Sequence, residues 1–214
     1  GATSFGIEYN PQMAQLANCM AQAQGVGGRT KIIQGDIFKE DFSRATVITM
    51  YLLPQLNLCV RHRILAMKPG TRVVSNSFDM GEWKPDETTD REGRTAYLWI
   101  VPARVDGTWV LNGAPGESVT VDLRQTFQAV SGDALVGGDR LPLTDASLQG
   151  NRLRFAFTDR SGAMRTFSGE VRGNEISGAL RTGKANARVA GGLQEALRPA
   201  DWAEMMSQCK GFYQ

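Results

Sequence analysis

Two rhythms divide the chain. Between residues 4 and 78 short apolar runs alternate with stretches whose apolar positions recur every three or four residues, the pattern of βα units around a parallel sheet. Ser4 to Glu8 reads as a strand ending on an acid. Asn10-Pro11 then offers an N-cap and a proline at the first helical position, and Met13, Leu16, Ala17 and Met20 recur on one helical face until Gly25 and Gly27-Gly28 stop it. A second strand, Lys31 to Gln34, runs into Gly35-Asp36-Ile37-Phe38. Ala45 to Met50 is an apolar, β-branched run suited to the middle of a parallel sheet. After Tyr51-Leu52-Leu53-Pro54 a helix carries Leu56, Val60, Ile64 and Met67 inward, Lys68-Pro69-Gly70 ends it, and Arg72 to Ser77 forms the next strand. The predicted order is β-α-β-β-α-β. The acidic segment from Asp79 to Arg94, with Trp83 and Pro85, reads as a solvated crossing loop. Tyr97 to Pro102 is one more strand, closing the α/β sheet or bridging to the second half of the chain.

From Gly107 the period drops to two. Val119, Val121 and Leu123 alternate with polar residues, as do Leu153, Phe155 and Phe157, so each strand has one wet face. Hairpins are expected at Asp159 to Gly162 and at Arg172-Gly173-Asn174. A meander of this kind must curl to hide its edges, which predicts a small antiparallel barrel or sandwich filled by Phe127, Phe155, Phe157 and Phe167. Pro199 to Cys209 predicts a short amphipathic helix. The fold class is therefore α/β followed by all-β, with expected divisions at 1–103, 104–192 and a tail at 193–214.

The chain has 214 residues, 42% of them hydrophobic, enough for real cores. Its 24 basic and 22 acidic residues leave +2, which argues against broad electrostatic capture of nucleic acid or anionic lipid. Six arginines, Arg152, Arg154, Arg160, Arg165, Arg172 and Arg181, give the second half a basic outer face that ordinary solubility explains. No apolar run reaches the roughly 18 residues of a membrane span, and nothing reads as a signal peptide; a cytoplasmic and a periplasmic location are equally compatible. Cys19, Cys59 and Cys209 are too scattered for a thiolate metal site or a disulfide framework, and the first two read as core thiols. His62, the one histidine, sits between arginines on an expected solvated face, so no metal site is expected. Gly25 to Gly28 follows a helix and lacks the context of a phosphate loop.

Candidate chemistry lies at strand ends, where open parallel sheets bind ligands. Glu8 and Asp36 stand after the first and second strands. One carboxylate there accepts the hydroxyls of a ribose and its neighbour the exocyclic amine of an adenine. Either acid alone reads equally well as a helix cap or a solvated side chain. The ordered set is more specific: Phe-Gly-Ile-Glu-Tyr-Asn-Pro at 5–11, Gly-Asp-Ile-Phe at 35–38, the apolar strand at 45–50, and Lys-Pro-Gly before a strand at 68–77.

With these segments, residues 3–80 resemble the later part of a class I S-adenosylmethionine-dependent methyltransferase, a Rossmann-like fold. The resemblance implies S-adenosylmethionine as cofactor. It implies that Glu8 binds its ribose, that Tyr9 and Asn10 lie on the adenosine side, and that Asp36, Ile37 and Phe38 contact adenine. Met50 to Pro54 would then be where donor meets acceptor, with Tyr51 beside the cofactor and Tyr51 and Asn57 facing the acceptor. The family's first strand and glycine-rich loop, expected before Phe5, are not in this sequence, so the chain reads as an N-terminally truncated domain and weak or no cofactor binding is expected of it. The segment after the apolar strand lacks the Asn/Asp-Pro-Pro-aromatic motif of nucleobase amine methyltransferases. It is similar to mitochondrial protein-lysine methyltransferases and their bacterial kin. No catalytic base follows, and the acceptor, small molecule or protein, stays open. Two other readings compete: a binding module with a lipocalin-like barrel, and a structural fragment that forms a homodimer through an exposed sheet edge.

Overall fold

The computed structural model describes residues 1–113, 118–183, 185–195 and 209. The first unit is β1 (Ser4–Glu8), α1 (Pro11–Ala23) and β2 (Thr30–Gln34). β1 and β2 pair in parallel with Glu8 opposite Gln34, so both strands end at one level. Asn10 caps α1 as expected: its side-chain oxygen accepts from the backbone N–H of Gln12 and Met13. Gly25, at φ +69°, ends it, with the Val26 N–H reaching back to the Ala21 carbonyl. Asn18 ties the helix to β2, donating to the Ile32 carbonyl at 2.7 Å and accepting from the Ile32 N–H at 2.9 Å. The methionine face of α1 does not pack. Met13, Leu16 and Met20 are more than half exposed, and the buried residues are Ala14 and Ala21, because a two-stranded sheet covers only the small-residue side of the helix.

The second unit contains β3 (Val47–Met50), α2 (Pro54–Leu65), β4 (Arg72–Asn76), β5 (Glu87–Arg91) and β6 (Arg94–Ile100) in the order β3-β4-β6-β5. β3 and β4 are parallel and β4 and β6 antiparallel, so β6 completes the α/β sheet. Among the described residues no ladder joins β1 to β3. β3 is consequently an edge, with Val47 exposed, and not the central strand its composition suggested. Val60, Ile64 and Met67 of α2 are buried against Val73, Trp99 and Val101.

The segment from Asp79 to Arg94 also departs from expectation. Met80 and Trp83 are fully buried, and the rest forms the β5–β6 hairpin, turned by Glu92 and Gly93 at φ +53° and +75°. Acidic residues flank two large apolar anchors here, and the anchors decide. The Trp99 indole donates to the Trp83 carbonyl at 2.8 Å.

The second half is a nine-stranded antiparallel sheet: β7 (Gly107–Asn112), β8 (Ser118–Thr126), β9 (Ala129–Val136), β10 (Asp139–Pro142), β11 (Thr144–Gln149), β12 (Arg152–Thr158), β13 (Met164–Arg172), β14 (Glu175–Thr182) and β15 (Ala185–Glu195). Neighbours in sequence are neighbours in space, and β15 returns to pair with β7. The free ends of this sheet, β10 and β11, are separated by Leu143 alone, whose N–H donates to Gly132 of β9. The result is a nearly closed barrel.

Phe155, Phe157 and Phe167 fill the barrel, each at most 1% exposed, with the Phe155 and Phe167 rings stacked 4.9 Å apart. Such a packed interior removes the support for a lipocalin-like ligand cavity. Phe127 does not join them. At the β8–β9 turn, with φ +54°, it leaves the barrel and stacks on Trp83 of the first half at 6.0 Å.

The cysteines and histidine also differ from expectation. Cys59, buried on α2, forms a disulfide with Cys209, 150 residues away, so it is not a free core thiol. Cys19 is exposed. His62 is half-buried, its Nδ1 2.8 Å from the Cys59 carbonyl, because α2 packs more of its circumference than its charges suggest. The expected helix from Pro199 lies outside the described residues, apart from Cys209.

Candidate active site

The level ends of β1 and β2 carry the site. Past β2 the chain turns through Gly35, whose N–H donates to the Glu8 carbonyl at 3.0 Å, and delivers Asp36 beside the end of β1. Tyr9, Pro11, Gln34, Gly35 and Asp36 line an open cavity of about 390 Å³.

Both carboxylates are half-buried and commit one oxygen to their own loop. Glu8 Oε1 accepts from the Asn10 N–H and Asp36 Oδ1 from the Phe38 N–H, each at 2.9 Å. Asp36 Oδ2 has the Lys39 ammonium at 3.9 Å, a loose contact. Each acid thus keeps acceptor capacity for a ligand, and its loop bond fixes its direction.

The remaining anticipated residues divide. Tyr9 is 80% exposed and lines the cavity. Asn10 is committed to capping α1. Ile37 and Phe38 are half-buried and lean on the core of the first half, outside the cavity lining. Tyr51, after β3, is 69% exposed and stacks on Phe78, with ring centres 6.0 Å apart and planes 14° from parallel.

Asn57 does not face an acceptor. It is fully buried, and its amide nitrogen lies 3.2 Å from Ser75 Oγ, 3.0 Å from the Phe78 carbonyl and 3.1 Å from the Asp79 carbonyl. One turn further along α2, Arg61 Nη1 donates to the Met80 carbonyl at 2.6 Å. Burial lowers the pKa of the Arg61 guanidinium, and the carboxylate of Glu82 opposes that shift. Phe78 was not anticipated. The only signal for it is an aromatic residue just past the strand that follows Lys68-Pro69-Gly70.

Comparison with known proteins agrees with this geometry. The family model described as the ANTKMT methyltransferase domain matches residues 1–87. A protein-lysine N-methyltransferase from Saccharolobus islandicus is 37% identical over 103 residues, covering 46% of this chain and 64% of that protein. The N-terminal half is a class I S-adenosylmethionine-dependent methyltransferase domain.

The ATP synthase C-subunit lysine N-methyltransferases of Mus musculus and Homo sapiens are 26% and 28% identical to this methyltransferase chain. They cover 49% and 46% of it and 42% and 43% of their own lengths. The chain thus spans somewhat under two thirds of the archaeal relative and less than half of the mammalian ones. A solved RNA methyltransferase from Salinibacter ruber, in complex with S-adenosyl-L-homocysteine, is 44% identical. It covers 47% of this chain and 67% of that one, with a TM-score of 0.46.

Proposed function

We propose that this protein is an S-adenosylmethionine-dependent protein-lysine N-methyltransferase. The observation that carries the reading is the placement of Glu8 and Asp36 at the level ends of two paired parallel strands, each holding an oxygen in reserve beside one cavity. That donor set suits a nucleoside: Glu8 would accept ribose hydroxyls, Asp36 the adenine amine, and Tyr9 would lie against the adenosine. The cofactor supplies a methyl group made electrophilic by its sulfonium.

In such a displacement the acceptor nitrogen forms a bond to the methyl carbon as the carbon–sulfur bond breaks. The electron pair stays on sulfur, and the proton of the new alkylammonium passes to solvent or a base. This chain contributes positioning and exclusion of water, which supply most of the acceleration. Lysine as acceptor is supported by the archaeal and mammalian relatives, whose names specify lysine, and by a net charge too small for general RNA capture. For residues 1–214 alone we propose weak cofactor binding, because no described strand bridges β1 and β3 with a backbone cradle.

The test is calorimetry of S-adenosylhomocysteine with the full-length protein, followed by methyl transfer from labelled S-adenosylmethionine to cell extract. Glu8→Ala and Asp36→Ala should each weaken binding by about tenfold, ~1.4 kcal/mol, the scale of one lost hydrogen bond to a charged group. Label should be recovered as methyl-lysine after acid hydrolysis. Unchanged affinity in both variants would refute the cofactor site, and label recovered in RNA would replace lysine by a nucleotide acceptor.

A further inference from the structure

The barrel is connected to the acceptor side of the methyltransferase domain by a chain of contacts that ends on Phe78. Phe127 stacks on Trp83, with planes 15° apart, and the Arg61 guanidinium lies 5.3 Å from the centre of the Phe127 ring. Next to it, the Gln128 side chain donates to the Lys84 carbonyl at 2.7 Å. Arg61 in turn holds the Met80 carbonyl, and Asn57 holds those of Phe78 and Asp79. Two side chains one turn apart on α2 thus grip three successive carbonyls.

The gripped loop begins at Ser77, a non-glycine residue at φ +69°. Phe127 itself sits at +54°. A backbone of this kind persists only where its surroundings over-determine it, and here both strained residues border the same relay. At the end of that relay, Phe78 lies against Tyr51, the residue that immediately follows β3.

We propose that Phe78 and Tyr51 form the wall that receives the acceptor lysine, and that the β8–β9 turn of the barrel is the brace that sets this wall. The inference rests on the lysine reading above. An aromatic surface suits that side chain, because the rings cover its methylene stem and their π faces attract its ammonium. Phe78 and Tyr51 are contact residues; Asn57, Arg61 and Phe127 are positioning residues. The barrel, whose interior is full, acts through its rim.

The experiment is NMR on the full-length protein with labelled tyrosine and phenylalanine rings. S-adenosylhomocysteine is titrated first, then Nα-acetyl-lysine N-methylamide as the acceptor probe. The first ligand should shift the Tyr9 ring and the second the rings of Tyr51 and Phe78. Phe127→Ala should displace the Phe78 signal and weaken the lysine probe by about fivefold, the scale of a lost aromatic contact. Affinity for S-adenosylhomocysteine should hold, and Phe127→Tyr should restore the probe.

A probe that leaves Tyr51 and Phe78 unmoved while S-adenosylhomocysteine binds overturns the inference and leaves the methyltransferase reading standing. So does a Phe127→Ala protein that binds the probe like wild type. If S-adenosylhomocysteine shifts nothing, the methyltransferase reading itself fails and this proposal goes with it. Should Phe127→Ala not fold, Gln128→Ala removes only the bond to Lys84 and should still weaken the probe, about twofold; unchanged binding there overturns the brace.

Discussion

The two halves of the chain face the same physical problem, the unpaired edges of a sheet, and treat it in opposite ways. In the second half β15 returns to β7 and β11 approaches β9, so backbone donors and acceptors are paired around almost the whole circumference, over a core of phenylalanine rings. In the first half the strands divide into a pair and a set of four, and large apolar side chains, Met13, Met20, Tyr9 and Tyr51, stand exposed near the dividing line. Closure brings stability and removes access. The open half has room for a ligand at its strand ends, and it gains rigidity from its neighbour through Phe127 and the disulfide between Cys59 and Cys209.

The contrast can be broken most severely in the barrel. Phe155→Ala should cost about 3–5 kcal/mol in denaturant unfolding, the range for emptying a packed aromatic site; a loss below about 1 kcal/mol would mean that the interior is not close-packed. Next comes the covalent tie. Cys209→Ser should lower stability by about 2–4 kcal/mol and make the unfolding midpoint insensitive to dithiothreitol, whereas wild type shifts on reduction. An identical midpoint for wild type with and without reductant would show that the bond does not form.

A smaller loss is expected at Gly178, which faces Gly169 across β13 and β14. A methyl group there would sit 2.4 Å from the Ser168 carbonyl oxygen and 2.6 Å from the Gly169 Cα, backbone atoms that cannot swing aside. Gly178→Ala should therefore cost about 1–3 kcal/mol, against near neutrality for alanine at exposed Gly28, where nothing lies within 4 Å.

The smallest effect sharpens the comparison by pH. Burial depresses the His62 pKa below its ordinary 6.5, outweighing the hydrogen bond to the Cys59 carbonyl. The unfolded chain then binds the proton first. Stability should be full above pH 6.5 and decline as pH falls from there through the depressed folded value. His62→Gln should flatten that slope in thermal melts, and an unchanged slope would assign it to other groups.

Much of this was legible in the residues. The capping of α1 by Asn10, its stop at Gly25, the β-α-β-β-α-β order and the period-two barrel strands all rest on short-range rules of backbone hydrogen bonding and side-chain alternation, which a sequence displays directly. The Glu8–Asp36 pair was legible because strand ends converge in any parallel sheet. Phe78 was not, since its placement depends on which carbonyls Asn57 and Arg61 grip across about 20 residues. The same distance misled the reading of Asn57 as an acceptor contact and of Asp79 to Arg94 as a solvated loop.

What the sequence determined by itself, then, was local: element types, caps, turns, the two periodicities and the acids that end two strands. Tertiary structure decided which apolar faces found partners. It left Met13 and Met20 exposed and buried Trp83, and it sent Phe127 out of the barrel and joined Cys59 to Cys209. Each of these outcomes depends on surfaces distant in sequence meeting in space, and hydrophobic burial is non-directional, so no local pattern specifies which surface a given side chain will meet.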